Sequence, residues 1–144
     1  MIRAKRVLLV ENDAGLLRAF NAFLTLKGYH VTVAANGLSA IKRLKEQKGC
    51  FSLMITEMII PDISGSGIIS IVKKKYPRIA VIALTEKIDV LEQMAKEFRA
   101  DVILKKPIKP VEFGEVIDRM FGCRPAKPYD CNNRKKFRPP AAVS

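Results

Sequence analysis

A chain of 144 residues that is 49% apolar suits one folded domain with its own core and excludes a disordered composition. Its 26 Lys and Arg against 14 Asp and Glu give a formal net charge of +12, which suits polyanions or acidic protein partners, or serves solubility alone. One histidine and three cysteines without a CxxC pair exclude a zinc cluster, and no apolar run spans a bilayer, so no membrane partner is expected.

The basic opening MIRAKR leads to only four apolar residues, Val7 to Val10, before Glu11, which is too short for a secretory signal. Cys50, Cys123 and Cys131 are odd in number and are expected to be unpaired thiols of a reducing, cytoplasmic setting.

The stretch RVLLV reads as a buried strand. A helix follows, with Leu16, Leu17, Phe20, Phe23 and Leu24 on one face, Asp13 as its N-cap and the glycine of KGYH at its end. The strand HVTVAA comes next, then a helix opened by Asn36-Gly37 that carries Ala40, Ile41 and Leu44. FSLMIT is the third strand. The third helix carries Ile68, Ile69, Ile71 and Val72, and Pro77 closes it. Lys73, Lys74 and Lys75 read as its solvated end, where cations suit the helix dipole. RIAVIAL is a fourth strand, IDVLEQMAKEF a fourth helix and ADVIL a fifth strand. A last helix carries Phe113, Val116, Ile117 and Met120.

Five β-then-α units imply an α/β doubly wound parallel sheet with helices on both faces. This domain is expected over residues 1–122. Residues 123–144 have four prolines and no apolar periodicity, and read as a flexible tail. The tail carries 6 Lys and Arg against 1 acid, +5, and the domain 20 against 13, +7.

Such sheets place their sites at the carboxyl ends of the strands. The residues there are Glu11 and Asn12, then Glu57, Thr85 and Lys106. Carboxylates gathered at strand ends hold a hard cation such as Mg²⁺, and a lysine with a hydroxyl can bind a phosphoryl group.

The pieces VLLVEND, GYHVTVAANGLSAI, LMITEMIIPDISG, VIALTE and ILKKPIKP, in this order and spacing, resemble the CheY-like receiver domain of two-component response regulators over roughly residues 5–121. The resemblance implies a flavodoxin-like five-stranded sheet of order 2-1-3-4-5, for which this family is a familiar example. It places Glu57 at the phosphoacceptor position and the metal site at Glu11, Asn12 and the backbone carbonyl of Ile59. Thr85 falls on the switch hydroxyl, Lys106 on the phosphate-binding lysine and Ile103 on the aromatic switch. Asp62 lies in the PDxxG turn, where it is expected to cap the helix that follows. The face receivers use for partners implies Lys87, Leu91, Lys105 and Glu112.

Three positions depart from the family pattern. Glu57 is one methylene longer than Asp, Asn12 is neutral, and Ile103 is not aromatic. The added methylene moves the carboxylate by about 1.5 Å, and a misplacement of about 1 Å can cost on the order of 10²-fold in rate. Losing a charged ligand weakens Mg²⁺. The expectation is therefore a pseudo-receiver in two-component phosphorelay signalling, with no catalytic residue, weak Mg²⁺ at most, and output by contact with a histidine kinase or downstream effector. Two other readings stay open: an active Mg²⁺-dependent receiver with an unusual acceptor, and a nucleic-acid-binding protein acting through its tail.

Overall fold

A computed structural model describes residues 5–60, 62–86 and 99–121. Its strands are β1 (Arg6–Val10), β2 (His30–Ala34), β3 (Leu53–Glu57), β4 (Ala80–Thr85) and β5 (Val102–Lys105). Its helices are α1 (Ala14–Leu26), α2 (Gly37–Glu46), α3 (Gly65–Lys75) and α4 (Pro110–Phe121). The helix expected from IDVLEQMAKEF and the basic tail lie outside the described residues.

The five strands form one parallel sheet in the order β2-β1-β3-β4-β5. Central β3 and β4 are buried throughout, which is why they read as continuous apolar runs rather than alternating ones. Side-chain alternation divides the core in two. Leu8, Val10, Met54, Val81 and Ala83 meet Ala40 and Leu44 of α2 and Ile68, Ile69 and Val72 of α3. Val7, Leu9, Leu53, Ile55 and Ile82 meet Phe20 and Leu24 of α1 and Phe113 and Ile117 of α4. The Phe20 and Phe113 rings join those two helices, with centroids 5.0 Å apart.

The expected caps form. Asp13 Oδ1 accepts from the Leu16 N–H at 3.0 Å, and Asn36 Oδ1 accepts from the Ser39 N–H at 2.8 Å. Gly28 takes φ +94° after α1, a left-handed conformation that suits glycine.

Three expectations need correction. Lys73 is not solvated: its Nζ lies 2.6 Å from Asp101 Oδ2, with the two side chains only 10% and 11% exposed. The same Asp101 oxygen accepts from the Val81 N–H at 2.7 Å, so the pair ties the end of α3 to β4 and the approach to β5. Lys74 and Lys75 are exposed, as expected. Cys50 is not an unpaired thiol, because it is disulfide-bonded; the other two cysteines lie outside the described residues. Asp62 does not cap α3, whose N-cap is Ser64. Asp62 instead reaches back across the carboxyl edge of the sheet. Its Oδ1 accepts from the Gly37 N–H at 2.8 Å and its Oδ2 from the Leu38 N–H at 2.9 Å. Two amides at the start of α2 thus gain an acceptor from a residue 25 and 24 positions away.

Candidate receiver pocket

Alternation alone aims three charged side chains at one place. Glu11 continues Val7 and Leu9, Glu57 continues Leu53 and Ile55, and Lys106 continues Val102 and Leu104. All three therefore fall on the α1/α4 face of the sheet, at its carboxyl edge. Gly65 makes room behind them, since a Cβ there would collide with the Glu57 carbonyl oxygen and with Met58 Cα. Its N–H also donates to the Met58 carbonyl at 3.0 Å, which fixes the turn after β3.

The three groups meet. Lys106 Nζ lies 2.6 Å from Glu57 Oε2, and 3.2 and 3.4 Å from the two Glu11 oxygens. Glu11 is 1% exposed, Glu57 5% and Lys106 9%. The remaining Glu57 oxygen accepts from the Ile59 N–H at 3.4 Å, and Glu11 Oε1 accepts from the Asp13 N–H at 3.2 Å. Lys106 precedes a cis Lys106-Pro107 bond, and its N–H donates to the Thr85 carbonyl at 2.7 Å. Beside the ammonium, Leu16, Phe20, Glu86, Pro107 and Ile108 line a cleft of about 290 Å³.

Burial works against the Lys106 ammonium. Its hydrogen bond to Glu57 and the charges of Glu11 and Glu57 outweigh that effect and raise its pKa above 10.5. Burial also pushes the Glu11 carboxyl above 4.5, against the Asp13 amide and Lys106. These directions agree with the geometry. The short contact of Lys106 is to Glu57, and Glu11 is the more distant, more deeply buried partner.

The other expected residues divide. Thr85 is fully buried at the end of β4, and Ile103 of β5 pairs with Ala83. Both alternate onto the α2/α3 face, where Ile103 packs against the core. Ile103 thus shares a sheet face with Thr85 but not with the Glu57 side chain. Asn12 is exposed and makes no side-chain hydrogen bond with a described residue. The Ile59 side chain is exposed, and its N–H already serves Glu57. Lys105 and Glu112 are exposed at the end of β5 and the start of α4; Lys87 and Leu91 lie outside the described residues.

A family model described as response regulator receiver domain matches residues 7–118. The chain belongs to that family. Among curated relatives, the "Probable transcriptional regulator ycf29" of Porphyra purpurea is 32% identical over 119 residues, 80% of this chain and 56% of that protein. The "Response regulator receiver protein CpdR" of Brucella abortus is 43% identical over 61 residues, 42% of this chain and 49% of that protein. The chain spans about half the length of the curated relatives it matches. Among solved structures, a CheY-like receiver domain protein from Methanospirillum hungatei superposes with a TM-score of 0.75 at 24% identity, over 81% of this chain and 92% of that one. The receiver domain of the sensor histidine kinase PA1611 from Pseudomonas aeruginosa, with magnesium in its active site cleft, gives 0.73 at 22% identity, over 81% and 97%.

Glu11 and Glu57 supply oxygen ligands of the kind a hard cation takes. Glu11 and Glu57 both reach one atom, Lys106 Nζ, so their oxygens converge on a common point. Lys106 neutralises one of the two charges there. Among the described residues no group of three or more His, Cys, Asp and Glu could hold a metal.

Proposed function

We propose that this receiver works without its own phosphorylation, as a non-enzymatic module of two-component signalling that acts through protein contacts. The observation that carries the reading is the 2.6 Å ion pair between Glu57 and Lys106. In-line phosphoryl transfer needs an acceptor oxygen free to attack and a lysine free to meet the arriving phosphoryl group. Here the acceptor-position carboxylate and the lysine are spent on each other. The longer side chain of Glu57 places a standing negative charge where an aspartyl phosphate would carry nearly two.

Glu11 and Glu57, with Asn12 at the rim, would hold Mg²⁺ weakly, and the ion when bound supplies charge neutralisation for a phosphoryl group. Lys105 and Glu112 belong to the surface through which a kinase or effector would be met. A cytoplasmic location loses the support expected from unpaired thiols, because Cys50 is disulfide-bonded; as a proposal it stands on the family's partnership with histidine kinases. A role for the tail in nucleic-acid binding gains no support here, since its residues lie outside those described.

Intact mass after incubation with Mg²⁺ and a small-molecule phosphodonor tests the reading. The wild type is expected to gain no phosphoryl group, and Glu57→Asp to gain one. Labelling of the wild type that Glu57→Gln abolishes would establish an active receiver with a glutamate acceptor. If Glu57→Asp also stays unlabelled, Glu57 is not the sole block.

A further inference from the structure

The two edges of the sheet differ in charge. At the carboxyl edge stand the exposed Asp13, Asp62, Glu86 and Glu112 and the two buried pocket carboxylates, which outnumber the three lysines there, Lys105, Lys106 and Lys109. At the amino edge, on the α2/α3 side, stand Lys45, Lys48, Lys74, Lys75 and Arg99, all exposed. Close packing gathers these five. Gly49 lies against the Tyr76 ring, which brings the end of α2, with Lys45 and Lys48, beside the end of α3, with Lys74 and Lys75. The Lys73–Asp101 pair draws in the segment that carries Arg99.

None of the five forms an ion pair with a described residue. The described carboxylates near them are already engaged. Glu46 lies 3.3 Å from Arg43 and 3.9 Å from Lys42, and Asp101 is taken by Lys73. The structural use of cations at this edge is thus met by Lys73 and Arg43, and the outward five are left over.

We propose that this amino-edge face of α2 and α3 binds the phosphate backbone of a nucleic acid duplex, independently of sequence. Among the described residues this face carries no exposed large apolar side chain, only the half-buried Tyr76 ring, which favours a duplex over an acidic protein. Among described residues, the exposed large apolar side chains are Leu26, Leu38, Ile59 and Val111. Leu38, Ile59 and Val111 lie at the carboxyl edge, and Leu26 ends α1 on the other face of the sheet. A protein interface draws its energy from buried apolar and aromatic anchors, whereas phosphate contacts need only cations on a rigid support. The charge division also orients the molecule. The basic edge faces the polyanion, and the receiver pocket, at the opposite edge, stays open to other proteins.

The test is fluorescence anisotropy of a labelled DNA duplex titrated with the full chain, tail included, over a series of salt concentrations. The comparison is the Lys45→Gln, Lys48→Gln, Lys74→Gln, Lys75→Gln variant, checked for native circular dichroism. The wild type is expected to bind with an affinity that falls steeply between roughly 50 and 200 mM salt. The variant is expected to bind at least about tenfold more weakly, with a log–log salt slope shallower by up to about 3.6, or 0.9 for each of four lost phosphate contacts. Absent duplex binding, or equal affinity and slope in the two proteins, would overturn the proposal; the second result would assign any binding to another part of the chain. Tighter binding to polyglutamate than to the duplex would overturn it in favour of an acidic protein partner.

Discussion

On the proposed reading Glu57 stands where a receiver seats an aspartate, and its carboxylate lies 2.6 Å from Lys106. Removing either partner should be felt unequally. Glu57→Gln leaves Lys106 the two Glu11 oxygens and a neutral amide, so it should cost about 1–3 kcal/mol. Lys106→Met leaves two buried carboxylates facing each other without a cation and should cost more, about 3–5 kcal/mol. Urea denaturation at neutral pH measures both; equal costs would show that Glu11 takes no part. The same residues shape the alkaline limb of stability. The folded pKa of Lys106 is raised, so its contribution is fully present below 10.5 and is lost as pH rises through the folded value. Burial, with the Asp118 charge added, likewise lifts Tyr29 from 10.0 to about 12, and its contribution is lost between those values. Wild-type stability should therefore fall above pH 10 in two parts. Tyr29→Phe removes one and Lys106→Met the other.

At the scale of elements, the α2 start depends on the loop after β3. Asn36 serves the Ser39 amide, but Gly37 and Leu38 depend on Asp62. Those two hydrogen bonds hold the Asp62 carboxyl below 3.8. Its contribution is present above that value and lost as pH falls through the folded pKa. Asp62→Ala should speed hydrogen exchange at Gly37 and Leu38 while leaving the α1 amides protected. Unchanged exchange at both would contradict the tether. This contact also marks where sequence reading ends. Asp13 and Asn36 announced their helices because a cap and its amide lie three residues apart. The strands announced themselves through apolar runs, and the pocket through residues placed at strand ends. Asp62 with Gly37 and Lys73 with Asp101 join residues far apart in the chain. The fold alone decides whether such residues meet, so a capping aspartate and a solvated lysine run were the natural local readings.

At the scale of the whole molecule, the proposed function turns on how the pocket is joined to the opposite face of the sheet. Glu57 and Lys106 sit on one side of the sheet, while Thr85 and Ile103 sit on the other. On that reading the standing Glu57–Lys106 pair fixes the pocket end of the connection, and Ile103, half-buried against the core, offers no aromatic ring to report a change. The most direct test is the amide spectrum of the whole chain, by ¹H–¹⁵N NMR, before and after adding Mg²⁺ and a small-molecule phosphodonor. Shifts confined to residues beside Glu11 and Asn12, equal with Mg²⁺ alone, are the predicted result for the wild type. Donor-dependent shifts at Thr85, Ile103 and Lys106 in the wild type would contradict the account, because they would show a pocket that still switches.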